Sequence, residues 1–173
     1  MKRLTVPALI MMITACVTTP TENKNDNTEV NPPAKVVNQN PIIGGVERLY
    51  VEDIKVPFHA RVDTGAEISS IDAMNVTPFE RDGEKWVAFE IVNRSDGKKV
   101  KLEKPLKRKT TIKRTLKQEQ RYVVKLKVRM GKNLVTAEFS LNDRSKFDYQ
   151  VLIGRNIING RYLVDTSISN TLR

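Results

Sequence analysis

Ala60-Arg61-Val62-Asp63-Thr64-Gly65-Ala66, continuing into Glu67-Ile68-Ser69-Ser70-Ile71-Asp72-Ala73, is the stretch that decides the fold. An apolar run enters Asp-Thr-Gly and apolar sequence resumes directly after it, so a sharp polar turn joins two strand-like segments. Each residue of the turn has a chemical reason to be there. A carboxylate on a rigid turn can hold and deprotonate a water. Thr64 can supply a hydroxyl that locks the loop, and Gly65 lets the backbone turn tightly without a side chain in the way. Taken alone, Asp-Thr-Gly is weak evidence, because any strand that ends in a polar turn can carry it.

Outward from that turn the pattern is strand-like almost throughout. Val124, Leu126, Val128 and Met130 alternate with Lys125, Lys127 and Arg129, the period of two of a half-buried strand. Val135, Ala137, Phe139 and Leu141 alternate in the same way, and Gly131-Lys132-Asn133 between the two runs predicts a hairpin. Trp86 to Val92 and Leu49 to Phe58 are further strand candidates, and a single short helix is expected around Arg155 to Asn159. Many short strands with little helix argue for a closed or sandwich-like β domain.

Downstream lies Tyr149-Gln150-Val151-Leu152-Ile153-Gly154-Arg155-Asn156-Ile157-Ile158, an apolar strand that ends at glycine and opens the short helix. Asp-Thr-Gly-Ala together with Leu-Ile-Gly-Arg-Asn resembles the retropepsin fold, in which an apolar-apolar-Gly segment packs behind the Asp-Thr-Gly loop. Phe89, Ser140-Leu141-Asn142-Asp143-Arg144-Ser145 and Gly160-Arg161-Tyr162-Leu163-Val164-Asp165 extend the likeness. They resemble a bacterial retropepsin-like family described as ATP-dependent zinc proteases of the RimK-associated type, some of them encoded beside ATP-grasp glutamate ligases. The match runs from about Gly45 to Ser167. The resemblance implies an all-β, closed retropepsin-like barrel with one short C-terminal helix, working as a homodimer. It implies Asp63 as the catalytic residue, with Thr64 and Gly65 completing the loop. Ala66 sits where retroviral enzymes also carry alanine, and Glu67 lies beside the site, placed to contact substrate.

The zinc and ATP of that family description find no counterpart in the residues. A catalytic zinc usually needs about three protein ligands, mostly His. His59 is the sole histidine, and neither a His-Glu-x-x-His motif nor a phosphate-binding Gly-x-x-x-x-Gly-Lys-Ser/Thr loop occurs. No cofactor and no metal site are expected.

The N-terminus addresses the compartment. Met1-Lys2-Arg3 precedes an apolar stretch from Leu4 to Ile13, of signal-peptide length and too short to span a bilayer. Thr14 and Ala15 lead into Cys16, the only cysteine, an order that resembles a lipobox. The expectation is a lipoprotein signal peptide over residues 1–15, a lipidated Cys16 with a tether over 16–40, and a peptidase domain over 41–173. Val17 rather than Asp after the cysteine points to the periplasmic side of the outer membrane. The tether is rich in Thr, Asn, Pro and Glu and has too few apolar residues to build a core. With Cys16 used as an anchor, no disulfide can form within one chain.

A formal net charge of +10 over 173 residues favours acidic partners. Between Lys98 and Lys132 fifteen basic residues face only Glu103 and Glu119, which suits a solvated sheet edge, a funnel for an anionic substrate, or both. Nucleic acid is not expected, because Tyr122 is the only aromatic in that stretch and stacking platforms need more.

One Asp-Thr-Gly per chain is half of what aspartic catalysis requires. The reaction uses two carboxylates sharing one proton, one accepting a proton from water and the other donating to the carbonyl oxygen. A second Asp63 from a two-fold partner supplies the missing half at an isologous interface. The expected partners are therefore a second copy, the membrane through Cys16, and a peptide or protein substrate of acidic or glutamate-rich character. The competing reading is a catalytically silent retropepsin-fold lipoprotein that binds acidic peptides or cell-envelope polymers.

Overall fold

The computed structural model describes residues 40–114 and 117–172, and of residues 112–114 and 117–119 the backbone alone. The expected signal peptide over residues 1–15, Cys16 and the expected tether up to residue 39 lie outside the described residues. In chain order the elements are β1 (Ile42–Val51), β2 (Phe58–Val62), β3 (Ser69–Asp72), β4 (Met74–Arg81), β5 (Glu84–Val92) and β6 (Lys99–Pro105). There follow β7 (Arg108–Arg114), β8 (Lys117–Met130), β9 (Asn133–Asn142), β10 (Val151–Ile153), α1 (Arg155–Ile158) and β11 (Leu163–Ser169). The described residues are all-β with one short helix, as the sequence predicts. Among the described residues no helix is long and apolar enough to cross a membrane.

Alternation in the sequence becomes two-sided strands. Val124, Leu126, Val128 and Met130 of β8 are buried while Lys125, Lys127 and Arg129 are exposed. Val128 pairs with Val135 and Met130 with Asn133, so the turn is Gly131-Lys132 and Asn133 already belongs to β9. Gly131 takes the left-handed φ of 57° that such a tight turn needs. The Leu49 to Phe58 stretch is not one strand: it holds the end of β1, a turn in which Glu52 has φ 48°, and the first residue of β2. The left-handed Glu52 breaks the extended path, and Ile54 tucks inward at 6% exposure.

The larger sheet runs β11-β1-β2-β10-β3-β9-β8-β7, and an extra pairing of β1 with β8 bends it into a ring. That closure consists of Tyr50 with Arg129 and Val51 with Val128. The closed barrel expected from sequence is therefore met only in outline, with β11 and β7 outside the ring. A separate three-stranded sheet, β4-β5-β6, adds Val87, Phe89 and Ile91 to the same apolar core as Phe58, Leu126 and Phe139. Each fully buried side chain of this size contributes about 2 to 3 kcal/mol.

Two features fix the strands around the site. Short β10 lies between β2 and β3, parallel to the first (Ile153 beside Val62) and antiparallel to the second (Val151 beside Ile71). At the other end, β11 runs parallel to β1. Buried Glu47 on β1 accepts hydrogen bonds from Gly44 N at 2.7 Å, Thr171 N at 3.0 Å and Thr171 Oγ1 at 2.7 Å, tying the chain end to the first strand.

Candidate active site

Asp63 stands at the end of β2, whose Phe58, Ala60 and Val62 are buried and whose His59 and Arg61 are exposed. The Asp63 N–H donates to Ile153 O at 2.9 Å, which anchors the start of the turn to β10. Gly65 N and Ala66 N donate to Asp63 Oδ1 at 2.9 and 3.2 Å. The turn thus holds one carboxylate oxygen with two main-chain donors. Oδ2 receives no hydrogen bond from the described residues, and it is the oxygen available to a water or a second carboxylate.

A Cβ on Gly65 would stand 3.2 Å from Asp63 Oδ1, so glycine lets the main chain close on the carboxylate. Gly154 is needed for a related reason. A Cβ there would meet Ile68 C at 2.7 Å and Ile68 O at 2.8 Å, so the helix start and the segment after the turn interlock. Gly154 N donates to Ser69 Oγ at 3.0 Å, and Ser69 Oγ donates to Asn156 Oδ1 at 2.9 Å. Asn156 Oδ1 also accepts from Ser69 N at 3.0 Å, and its Nδ2 donates to Glu138 O at 2.8 Å, bridging β3, α1 and β9.

Sequence reasoning gave the locking role to the Thr64 hydroxyl. Thr64 is exposed, and its hydroxyl has no hydrogen bond to the described residues. The lock within one chain is Arg155, whose Nη1 donates to Thr64 O at 3.0 Å and Gly65 O at 2.7 Å. Arg155 N and Asn156 N donate to Ala66 O at 2.9 Å and Glu67 O at 3.1 Å. Asp63, Thr64, Gly65, Ala66 and Glu67 therefore form one hydrogen-bonded turn, with Ala66 half-buried and Glu67 exposed. Arg155 and Asn156 were visible in the motif, but nothing in a sequence says that they reach back some ninety residues.

With this geometry in view, the sequence profile of the RimB-like family, described as retropepsin-like aspartic endopeptidase RimB, matches residues 42–172. The chain belongs to this family. A protein of Shewanella pealeana named probable alpha-L-glutamate ligase is 36% identical over 132 residues, which is 74% of this chain and 29% of that protein. One of the same name from Desulfotalea psychrophila is 33% identical over 135 residues, 76% of this chain and 29% of its own length. The chain spans under a third of these relatives. A crystal structure of a Legionella pneumophila protein of unknown function superposes with a TM-score of 0.68 at 29% identity, covering 78% of this chain and 99% of that one.

For a RimB-like chain linked by resemblance to zinc and ATP, the fit of a metal is a fair question. His59 is exposed on β2, and no group of three or more His, Cys, Asp or Glu side chains able to hold a metal occurs among the described residues. The described residues do not fit a zinc site. What the arrangement offers is a carboxylate held by its own turn, with one oxygen left to react.

Proposed function

We propose that this chain is an aspartic endopeptidase that hydrolyses acidic or glutamate-rich peptides with a pair of Asp63 carboxylates, one from each protomer of a homodimer. The observation that carries the reading is the Asp63 turn itself. It is an Asp-Thr-Gly loop whose carboxylate is cradled by Gly65 and Ala66 amides and interlocked with Gly154, in a chain of the retropepsin-like family. In the proposed cycle one Asp63 carboxylate takes a proton from water as the oxygen attacks the peptide carbonyl. The protonated partner carboxyl donates to the carbonyl oxygen. The proton taken from water then passes to the amide nitrogen as the C–N bond breaks, and a hydroxyl proton of the tetrahedral intermediate returns to the partner carboxylate.

Two observations support an acidic substrate: the net charge of +10, and the likeness to longer proteins named for glutamate ligation. The ligase activity in that name belongs to the longer proteins and is not proposed for this chain. The proposed location is the periplasmic face of the outer membrane, through a lipid on Cys16. Anchoring two-fold partners to one surface raises their effective concentration.

The test is cleavage of a mixed peptide library by the full-length protein in detergent between pH 4 and 7, beside Asp63→Asn. Cleavage by the parent and none by the variant supports the peptidase. Peptide binding by both with cleavage by neither favours the silent binding domain instead.

A further inference from the structure

Arg144 carries a buried charge that touches no carboxylate directly among the described residues. It is only 7% exposed, yet none of the salt bridges among the described residues includes it. Its Nε donates to Tyr149 O at 2.9 Å and its Nη1 to Ser70 Oγ at 3.1 Å, and the guanidinium sits 4.6 Å from the centre of the Phe147 ring. All three partners are neutral. The nearby carboxylate of Asp72 is paired with Arg94 at 2.8 Å and meets Arg144 through the backbone N–H at 2.7 Å. Buried arginines are rarely left without a carboxylate, because an isolated cation away from water is costly. Burial lowers the Arg144 pKa; Asp72 opposes that most strongly, Arg121 and Arg94 add to it, and Asp63 opposes it least.

The charge borders a cavity of about 250 Å³ lined by Ala66, Glu67, Ser70, Thr110, Arg121 and Arg144, among others. Ala66 belongs to the catalytic turn. Thr110 and Arg121 face each other across the β7–β8 hairpin, so that hairpin forms the opposite wall. Arg144, Arg121 and the exposed Glu67 are the charged residues of a lining that also holds apolar Ile68 and Leu152, around a space suited to a single side chain.

We propose that this cavity is a carboxylate subsite, in which Arg144, with Arg121 across from it, receives the side-chain carboxylate of an acidic residue beside the scissile bond. The inference rests on the peptidase reading and deepens it: the diffuse basic surface attracts, and this pocket selects. A charge-assisted hydrogen bond in a partly desolvated pocket separates Glu from its uncharged isostere Gln by roughly tenfold to a hundredfold.

The experiment uses the full-length protein in detergent and fluorescent peptides that differ only in Glu or Gln at the residues flanking the cut. Cleavage by the parent gives a Glu-to-Gln ratio of kcat/KM, and binding to Asp63→Asn gives the same ratio for affinity without turnover. The expected ratios are roughly tenfold or more, falling to near one on adding Arg144→Gln and to an intermediate value on adding Arg121→Gln. Arg121→Gln, on the hairpin, keeps the test decisive should Arg144→Gln fail to fold. A parent ratio below twofold, or a ratio unmoved in the folded arginine variants, overturns the subsite. A Glu preference in binding that depends on these arginines, with no cleavage at all, would retain the subsite and remove the peptidase reading.

Discussion

Gly154→Ala isolates the interlock behind the Asp63 turn. Gly154 has φ −94° and ψ 179°, an extended conformation open to any residue, so the substitution introduces no backbone strain. Its cost is steric. The new Cβ would meet Ile68 C at 2.7 Å, Ile68 O at 2.8 Å and Ser69 N at 3.0 Å, where ordinary contact begins near 3.4 Å. All three atoms are main chain, in the segment between the Asp63 turn and β3, so no side chain can swing away. Relief requires a shift of about half an ångström or more, which also strains the Gly154 N–H bond to Ser69 Oγ. Overpacking of this kind costs typically 1 to 3 kcal/mol, and rigid neighbours place it near about 3 kcal/mol. For a domain of this size the melting temperature should fall by about 10 °C. Gly83→Ala is the control: its φ of 77° costs about 1 kcal/mol, but no atom lies within 4 Å of the added methyl. Urea unfolding with equal m-values would compare the two. If Gly154→Ala costs no more than Gly83→Ala, the interlock is not what holds the turn.

The other predictions concern the loop lock, the bridging asparagine and the C-terminal clamp. Arg155→Ala should leave global stability within about 1 kcal/mol while speeding hydrogen exchange at the Gly65 and Ala66 amides; unchanged exchange would remove Arg155 as the lock. Asn156→Ala strips three hydrogen bonds that join β3, α1 and β9 and should cost about 2 to 3 kcal/mol by chemical denaturation. Burial pushes the Glu47 carboxyl up, but the hydrogen bonds from Gly44, Thr171 and Leu172 together hold it below its ordinary 4.5. Its stabilising effect is therefore fully present above about pH 4.5 and is lost as pH falls through the lowered value. Glu47→Gln should destabilise the protein by about 2 kcal/mol at neutral pH and flatten that acid dependence; an equally steep acid limb in the variant would assign it to other carboxylates.

The parts of the fold legible in the sequence are those whose side chains alternate between core and water. Val124 to Met130 and Val135 to Leu141 announced β8 and β9, and the glycine after Val151-Leu152-Ile153 announced the start of α1. The β7 strand was hidden, because Arg108 to Arg114 is mostly basic and polar and carries no apolar alternation, while its pairing with β8 makes it a strand. The Asp63 turn was legible as a sharp turn packed against the Gly154 segment, since Asp-Thr-Gly and Gly154 each carry a local reason. What holds that turn was not. The contact from Arg155 to Thr64 O spans 91 residues, and the one from Arg144 to Ser70 spans 74. Nothing in Asn142-Asp143-Arg144-Ser145 marks Arg144 as buried, yet it is only 7% exposed.

The central claim is that one active site needs Asp63 from two protomers, and mixing tests it most directly. Parent and Asp63→Asn protein, exchanged to equilibrium at equal amounts and held at fixed total concentration, should retain about a quarter of the parent rate on a cleavable peptide, because only parent–parent pairs carry both carboxylates. A rate of about one half would mean that each chain acts alone, and the shared-dyad account would fail.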